Sequence, residues 1–242
     1  MKVLGVEFFE CGVESAILNS QAGGLVVAPS GPGLSTDLLE SDSYRKALSN
    51  ADLVLPDSGL MCLWLRIFRK VSLRRVSGLE YLFKLLEAFD FQKSSFWVMP
   101  NSIQSKQNLA WLNKKYNAKI DAKYTYISPF YPKFGVIEDH ELLESIELIK
   151  PNFIFIQIGG GTQERLGLYL KSHLSFKPTI ICTGAALAFL SGQQIRIPTW
   201  ADRFYLGWLF RCLSDPKTFI PRYFSAFRLV YLLFKYGENP PV

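Results

Sequence analysis

The run Phe153-Ile-Phe-Ile-Gln-Ile158 is apolar at five of its six positions, so both of its faces are expected to be buried. A strand of this kind belongs in a parallel sheet that helices cover on both sides. Shorter apolar runs alternate with helical patterns over about 190 residues, and they lie at 3–9, 25–28, 53–55, 96–99 and 179–182. The sequence therefore predicts an α/β fold with a doubly wound, mainly parallel, Rossmann-like sheet.

The end of the chain differs in composition from the rest. Residues 196–242 carry a net charge of +4, against +2 for residues 1–195, and hold 12 of the 35 aromatic residues. We therefore expect a Rossmann-like domain, 1–195, followed by a basic, aromatic and helical appendage, 196–242. Such a segment suits a membrane surface that carries anionic lipid. Nucleic acid would attract the same charge, but no RNA- or DNA-binding motif is present, and we expect no nucleic-acid partner.

Three observations predict a cytoplasmic protein. Glu7 and Glu10 interrupt any apolar core of a signal peptide. No run of about 18 apolar residues is long enough to span a bilayer. The four cysteines are widely spaced and include no C-x-x-C pair, which predicts free, buried thiols in a reducing compartment. Together with the appendage, these features favour a peripheral position on the inner face of the cell membrane.

A carboxylate follows the predicted strand at 53–55. Pro56 tends to end a strand, and Asp57 comes next, before Ser58 and a buried apolar helix over 60–68. In an open α/β sheet this turn lies at the carboxyl end of a strand, where ligands bind. Asp57 then has two interpretations: a general base that accepts a proton from a hydroxyl, or a cap of the following helix.

A glycine loop, residues 159–161, follows the strand at 153–158 and precedes a helix. Bare backbone N–H groups and the positive end of a helix together favour phosphate. The loop is not the dinucleotide fingerprint G-x-G-x-x-G, since Glu164 stands where the last glycine would be. A tight structural turn is the alternative interpretation of these glycines.

The appendage contains two predicted helices. Asp215 is expected to cap the second, with Pro216 at its first position, and Pro221 to break it. Beyond this proline, Arg228 and Lys235 lie nearly opposite an apolar face made of Tyr223, Phe227, Val230 and Phe234. The pattern is typical of an interfacial helix, and a helix packed on the main domain with a solvated basic face would show it as well.

Five motifs follow one another in a specific order. They are residues 51–57 (ADLVLPD), Arg75-Val-Ser-Gly78 with Glu80, residues 159–164, Gly184-Ala-Ala with residues 189–192, and a C-terminal set made of Pro198, Trp200, Gly207, Leu209, Arg211, Asp215, Pro216, Arg222 and Tyr223. The ordered set resembles the WecG/TagA/CpsF glycosyltransferases of bacterial envelope polysaccharide synthesis. The corresponding family patterns are ADLVLPDG, R-V-x-G-x-D, G-x-P-x-Q-E, GGAFDFLAG and the C-terminal signature.

The resemblance implies an inverting transfer of a sugar from a UDP-sugar to a polyprenyl-diphosphate-linked sugar. Asp57 would be the base that deprotonates the acceptor hydroxyl. The nucleotide-sugar site would consist of Gly159, Gly160, Gly161, Gln163, Glu164, Gly184, Arg75, Gly78 and Glu80. Arg211 and Arg222 would contact the acceptor diphosphate, and the appendage would meet the membrane. The resemblance leaves open whether the chain forms a homo-oligomer.

Neither a metal nor another cofactor is implied. The acidic cluster Glu138-Asp-His-Glu141 begins a predicted helix, where carboxylates in the first turn are favourable to the helix dipole. The sequence has no D-x-D pair, with which many sugar-nucleotide enzymes hold a divalent cation. Arginine side chains could neutralise a leaving diphosphate instead.

The chain departs from the family pattern where a donor sugar would sit. The departures are Ala28, Ser30, Pro100, Asn101, Thr162 and Ala188. Because Asp57 is retained, we expect a changed donor specificity. Two other classes stay open: a catalytically silent membrane-surface partner of a polysaccharide assembly complex, and another nucleotide-binding α/β enzyme such as a dehydrogenase, which the interrupted glycine fingerprint disfavours.

Overall fold

A computed structural model describes residues 1–91, 94–192 and 207–241. The strands are β1 (Lys2–Val3), β2 (Val6–Glu7), β3 (Gly24–Val27), β4 (Leu53–Val54), β5 (Ser95–Met99), β6 (Thr125–Ile127), β7 (Phe153–Ile156) and β8 (Thr179–Cys182). Six of these described strands form one sheet in the order β4-β3-β8-β7-β5-β6, and every neighbouring pair is parallel. The predicted α/β fold class is confirmed.

The helices flank this sheet. They are α1 (Gly12–Ser20), α2 (Leu38–Glu40), α3 (Asp42–Ser49), α4 (Gly59–Phe68), α5 (Gly78–Glu87), α6 (Ser102–Tyr116), α7 (His140–Ile149), α8 (Thr162–His173), α9 (Ala186–Leu190), α10 (Gly207–Ser214) and α11 (Pro216–Tyr236), with a π-helix at Gly33–Asp37 and a 3₁₀ turn at Ala122–Tyr124.

Alternate side chains of the central strands enter two separate apolar layers. Ile154 and Ile156 of β7 pack with α3, α4, α7, α8 and α11, whereas Phe153 and Phe155 pack with α1, α5, α6 and α9. Trp97 of β5 stacks on Phe155 with ring centroids 4.1 Å apart. Because both faces of the sheet are covered in this way, its strands carry almost no polar residues.

The prediction of one continuous strand over residues 3–9 is wrong. The segment forms a separate antiparallel hairpin, β1 and β2, joined by Leu4 and Gly5 with φ of 50° and 78°. These left-handed residues turn the chain back on itself. Their N–H groups donate to the carbonyls of Gly237 and Glu238 at 2.8 and 2.9 Å, so the hairpin holds the end of α11.

The sequence between β3 and β4 predicts one helix, from residue 35 or 36 to about residue 49, but the structure interrupts it. Ser41 has extended backbone angles (φ −129°, ψ 107°), and its side chain accepts a hydrogen bond from the Tyr44 N–H. It therefore caps α3, and the preceding residues form the π-helix and the short α2 instead. Serine favours such a cap because its hydroxyl satisfies a backbone donor.

Helix α11 continues through Pro221, which was predicted to break it. The proline is the sixth residue of the helix, so its missing N–H affects only one hydrogen bond close to the first turn. Leu229, Leu232 and Leu233 are buried and join the apolar layer beside α4. The helix is thus packed on the main domain, and its other sides remain exposed.

The predicted apolar face of α11 is only partly the buried one. Phe227 and Phe234 are exposed, Val230 is half-buried, and the side chain of Tyr223 lies outside the described residues. Arg228 and Lys235 are exposed as well. Within the described ranges, no helix is both long enough and apolar enough to cross a membrane.

The four cysteines are free thiols, as predicted. Cys62 and Cys182 are buried, whereas Cys11 is exposed and Cys212 is half-buried. The prediction of buried thiols is therefore wrong for Cys11 and holds only in part for Cys212. Cys11 precedes α1 at the surface and directly follows the exposed Glu10, which was the signal of its exposure in the sequence.

Helix α8 approaches the sheet most closely at Gly167. A Cβ placed on this glycine would lie 2.6 Å from Leu25 Cδ1 and 2.9 Å from Cys182 Sγ, both in the fully buried layer. Only a residue without a side chain fits this separation of helix and strands.

We expect Gly167→Ala to lower the free energy of unfolding by about 1–3 kcal/mol, because overpacking outweighs the better helix propensity of alanine. Urea denaturation measures the change. Gly159→Ala is the control, since a Cβ there meets nothing within 4 Å. An unchanged or raised stability in Gly167→Ala would contradict the tight contact between α8 and the sheet.

Candidate active site

An open cleft lies at the carboxyl ends of β3, β4, β7 and β8. The loops after β3 and β7 lead to helices on one face of the sheet, and the loop after β8 leads to α9 on the other, so a crevice opens between them. The cleft is lined by Ala28, Ser30, Gly33, Tyr44, Asp57, Arg75, Ser77, Gly78, Leu79, Gly159, Gly160, Gly161, Gln163, Glu164, Thr183, Gly184, Ala185, Ala186 and Phe189. The structure thus brings together the candidate base and nearly all of the predicted nucleotide-sugar residues.

Asp57 does not cap the helix that follows it. Ser58 is the N-cap of α4, and its side chain accepts a hydrogen bond from the Met61 N–H at 3.3 Å. The capping interpretation of Asp57 is therefore wrong for α4. Its carboxylate instead turns toward the cleft, where the side chain remains 23% exposed.

Two groups orient the Asp57 side chain. The Gly78 N–H, at the first turn of α5, donates to Oδ1 at 3.2 Å, and Arg75 Nη2 lies 3.7 Å from the same oxygen. Arg75 Nε also donates to the backbone carbonyl of Asp57 at 2.8 Å. The positive end of α5 and a guanidinium thus lie beside the carboxylate and complement its negative charge.

Helix α5 reaches this position because Gly78 has no side chain. A Cβ there would lie 3.2 Å from Ala28 Cβ and 3.4 Å from the Thr183 carbonyl oxygen, at the ends of β3 and β8. Ser77 caps the helix and accepts a hydrogen bond from the Glu80 N–H at 3.1 Å. Glu80 is half-buried and is not among the residues that line the cleft.

The glycine loop is partly closed by its own hydrogen bonds. Gly161 has φ of 86°, and its N–H donates to Glu164 Oε2 at 2.7 Å. The Gln163 N–H donates to the Gly159 carbonyl at 3.1 Å. Within the described residues, no hydrogen bond occupies the N–H of Gly160, which is exposed at the cleft. Of the donors expected for phosphate, the Gly161 N–H is thus already used by a carboxylate.

The loops after β7 and β8 are joined by two buried glutamines. Gln163 accepts a hydrogen bond from the Gly184 N–H at 2.6 Å and donates to Glu164 Oε1 at 3.1 Å. Gln157 donates to Thr183 Oγ1 at 3.1 Å and accepts from the Leu187 N–H at 3.3 Å. Sequence reasoning assigned no role to Gln157, although it is the one polar residue in an otherwise apolar strand run.

Glu164 is a fully buried carboxyl group. Burial raises its pKa to about 7, and the negative charge of the nearby Asp37 adds to the increase. Hydrogen bonds from Gln163 and Gly161 favour the ionised form and offset part of it. Asp37 lies in the π-helix and is close to the loop: a Cβ placed on Gly161 would lie 3.0 Å from the Oδ2 atom of Asp37. Protonation of Glu164 near neutral pH would therefore change the charge beneath the glycine loop.

Arg165 anchors the same loop from the other side, and sequence reasoning missed it. This buried guanidinium donates from Nε to the Gly161 carbonyl at 3.0 Å. Its other nitrogens donate to the carbonyls of Gly135 and Pro132 at 2.9 and 2.7 Å. The loop after β6 and the glycine loop are thereby held together. The sequence shows only an Arg two residues after Gln163, which does not reveal these distant carbonyl partners.

The remaining predicted positions are distributed as follows. Ala28 and Ser30 line the cleft, and Thr162 lies on the first turn of α8. Ala188 is buried in α9, and Asn101 caps α6 by accepting a hydrogen bond from the Gln104 N–H at 2.8 Å.

The two arginines predicted to contact the acceptor diphosphate, Arg211 and Arg222, belong to α10 and α11, but their side chains lie outside the described residues.

The acidic cluster at 138–141 serves the helix that it begins. Asp139 is the N-cap of α7, and its Oδ1 accepts from the Leu142 N–H at 2.9 Å. The hydroxyls of Tyr126 and Tyr131 donate to the same carboxylate. This is the structural interpretation that the sequence favoured.

A parallel α/β sheet with an open cleft at its strand ends is the architecture of a doubly wound, ligand-binding protein. A sequence model described as "Glycosyl transferase WecG/TagA/CpsF family" matches residues 1–240. The chain belongs to this family and is a glycosyltransferase, as the motifs predicted.

Curated relatives are similar over most of their length. A Bacillus spizizenii protein is 23% identical over 90% of this chain and 84% of its own. A Bacillus subtilis protein is 23% identical over 80% of this chain and 73% of its own length. A Staphylococcus aureus protein is 20% identical over 89% of this chain and 85% of its own length. All three are named N-acetylglucosaminyldiphosphoundecaprenol N-acetyl-beta-D-mannosaminyltransferase.

The environment of Glu164 predicts a pH dependence of stability. Its pKa is about 7 in the folded protein, against an ordinary value of 4.5 that the unfolded chain retains. Between these values the folded protein binds a proton that the unfolded chain does not. The free energy of unfolding attributable to this group must then fall, by about 1–3 kcal/mol, as the pH rises from about 5 to about 7.5.

Glu164→Gln should remove this fall in the free energy of unfolding with pH, because the glutamine side chain accepts a hydrogen bond from the Gly161 N–H but does not titrate. Urea denaturation at several pH values measures it, with Glu144→Gln on the exposed side of α7 as the control. Parallel curves for wild type and Glu164→Gln would show that Glu164 does not titrate in this range.

Proposed function

We propose that the protein transfers a sugar from a UDP-sugar to a sugar carried on polyprenyl diphosphate, with inversion, during cell-surface polysaccharide synthesis. The observation that carries this proposal is the cleft in which the Asp57 carboxylate and the glycine loop 159–161 face the same space. The names of the curated relatives point to a polyprenyl-diphosphate-linked N-acetylglucosamine as the acceptor.

In the proposed reaction, Asp57 accepts the proton of the acceptor hydroxyl. The hydroxyl oxygen attacks the anomeric carbon on the side opposite the diphosphate, and the bond between that carbon and the diphosphate oxygen breaks. The electron pair leaves with UDP. The Gly78 N–H and Arg75, both close to Oδ1, support this role because they hold the base in one orientation.

The donor diphosphate is assigned to the glycine loop and the start of α8. The exposed Gly160 backbone and the positive end of this twelve-residue helix support the assignment. Gln163, in the first turn of α8, accepts a hydrogen bond at 2.6 Å from the N–H of Gly184 in the loop after β8, and the two residues bound that space. We assign the acceptor diphosphate to Arg211 and Arg222 and propose that these cations, rather than a metal ion, meet the charge of the phosphates.

Ala28 and Ser30 support a donor different from that of other family members. Both line the cleft, and both are smaller than the Thr and Asn of the family pattern. The same positions favour the second candidate, a silent partner in an assembly complex, because lost donor contacts would also reduce activity. One experiment separates the two candidates.

The test is a panel of UDP-sugars offered with a short, water-soluble polyprenyl-diphosphate N-acetylglucosamine, with and without EDTA. Mass spectrometry should show one acceptor product heavier by one sugar, in equal yield with the chelator. Absence of product and of UDP release from every donor would favour the silent partner. Loss of product in EDTA would overturn metal independence alone.

Asp57→Asn should lower the turnover number by about 10²–10⁴ while the affinity for UDP stays within about threefold. The amide still accepts the Gly78 N–H, so the fold is retained, but it cannot take a proton. UDP release under saturating substrates measures the rate. Asp42→Asn, at an exposed position paired only locally with Arg45, is the matched control. Turnover near the wild-type rate, with a normal circular dichroism spectrum, would remove Asp57 from the reaction.

Gly160→Val should weaken UDP binding by about tenfold or more, or roughly 1.4 kcal/mol, because a branched side chain blocks the approach of phosphate to the backbone. Titration calorimetry measures the affinity. Ala110→Val is the control, since it adds a branched side chain at an exposed position of α6 that does not line the cleft. Equal affinities in wild type and Gly160→Val would place the diphosphate elsewhere.

The acceptor lipid also implies a location. We propose that the protein works as a peripheral protein on the inner face of the cell membrane, with the appendage 196–242 in contact with lipid. The exposed Phe227 and Phe234 beside the exposed Arg228 and Lys235 support this orientation of α11. Homo-oligomer formation stays a prediction, as does the division of the chain at residue 195.

A further inference from the structure

The end of helix α4 is exposed, although its sequence predicts a buried helix. We call residues 66–71, Arg-Ile-Phe-Arg-Lys-Val, the α4 patch. Its apolar members Ile67, Phe68 and Val71 are 57%, 55% and 38% exposed, and its basic members are exposed as well. No Asp or Glu occurs between residues 63 and 72. Within this segment accessible apolar side chains are thus combined with positive charge alone, and Glu238 at the end of the chain lines a pocket beside Arg69 and Val71.

The α4 patch is continuous with helix α11. The rings of Phe68 and Phe234 meet edge to face with centroids 4.9 Å apart, and Phe234 also meets Trp64 at 5.2 Å. Arg69 lies over Trp64, 5.7 Å from the ring centroid. Phe68 and Phe234, which are 166 positions apart in the sequence, are thus packed into one surface.

Helix α11 extends this surface along its exposed side. Large apolar side chains recur every three or four residues and are 52–76% exposed; they are Ile220, Phe224, Phe227, Tyr231 and Phe234. Arg228 and Lys235 lie along one edge of this stripe. Helical spacing places these residues on one line, so the stripe and the α4 patch form a single apolar surface with basic residues between and beside the apolar ones.

We propose that the α4 patch is a second membrane-contact site, located in the Rossmann-like domain itself, which docks together with α11 on an anionic lipid surface. Anionic lipid complements the positive charge, and its acyl region accepts the apolar side chains. The inference extends the membrane location proposed above, but its test does not depend on sugar transfer.

A second copy of this chain fits the surface less well. In a twofold interface the same patch meets its own copy, so Arg66, Arg69 and Lys70 would face like charges without a carboxylate in the segment to compensate them. Anionic lipid headgroups carry charge of the opposite sign and can gather beneath these cations.

Two contact sites define an orientation, whereas one helix leaves the protein free to rotate about it. Helix α4 begins immediately after Asp57 and Ser58 at the cleft and has ten residues, so its exposed end lies about 15 Å from the candidate base. With both α4 and α11 on the membrane, the cleft is held at a fixed, short distance from the headgroups, where a lipid-linked diphosphate lies.

The test is co-sedimentation of the full-length protein with phosphatidylcholine vesicles that contain phosphatidylglycerol. Arg66→Glu with Lys70→Glu should weaken binding at low salt by about tenfold or more. The control is Lys106→Glu with Lys114→Glu, which makes the same charge change on α6, across the sheet from α4. The control pair should alter binding by less than about threefold.

The apolar contribution is tested at high salt, which screens the charges. Ile67→Ser should weaken binding roughly fivefold, whereas Ile103→Ser, the same change at a position 70% exposed on α6, should leave it unaltered. Circular dichroism confirms that each variant is folded. Arg228→Glu with Lys235→Glu measures the contribution of α11 in the same assay.

Each outcome decides the proposal. If the α4 variants bind vesicles like their α6 controls, the α4 patch is only a solvated surface; a loss confined to the α11 variant would then leave the appendage as the sole contact. If the α4 variants instead change the sedimentation of the lipid-free protein and bind vesicles normally, the surface joins copies of the chain. The UDP-sugar panel tests the proposed function separately.

Discussion

The candidate site depends on the side chain of Gln163, which joins two loops that leave the sheet toward opposite faces. Its Oε1 accepts from the Gly184 N–H, and its Nε2 donates to Glu164, whose carboxylate holds the Gly161 N–H in turn. Two buried side chains and two backbone N–H groups therefore satisfy one another at the base of the cleft. Removing any one of them would leave a buried donor or acceptor without its partner, which is costlier than losing an exposed hydrogen bond.

Much of this arrangement was predictable, because it follows from local patterns. A strand that is apolar on both faces can only be central, and the turn after such a strand lies at the ligand-binding edge. The positions of Asp57 and the glycine loop required no further information. Ser77 and Gly78 were also identified as the start of a helix from their residue types.

The features that sequence reasoning missed depend on long-range contacts. Leu4 and Gly5 turn the first segment into a hairpin because the end of α11 accepts their N–H groups. The end of α4 is exposed although its apolar pattern continues, since periodicity marks one side of a helix but not the point at which the helix leaves the core. Gln157 and Arg165 have partners that are distant in sequence, and residue type alone gives no indication of such partners.

The carboxylates near the glycine loop would repel a bound diphosphate, and the burial of Glu164 reduces this repulsion. A donor diphosphate in the proposed place would add negative charge close to both Asp37 and Glu164, and like charges at short range repel. Arg165 offsets part of this charge, but its donors are directed at three backbone carbonyls. Burial raises the pKa of Glu164 to about 7, so the group can take up a proton near neutral pH. A diphosphate would raise that pKa further, and binding would then be coupled to protonation of Glu164. The buried carboxyl group can thus hold the loop in shape when the site is empty and lose its charge when an anionic ligand arrives.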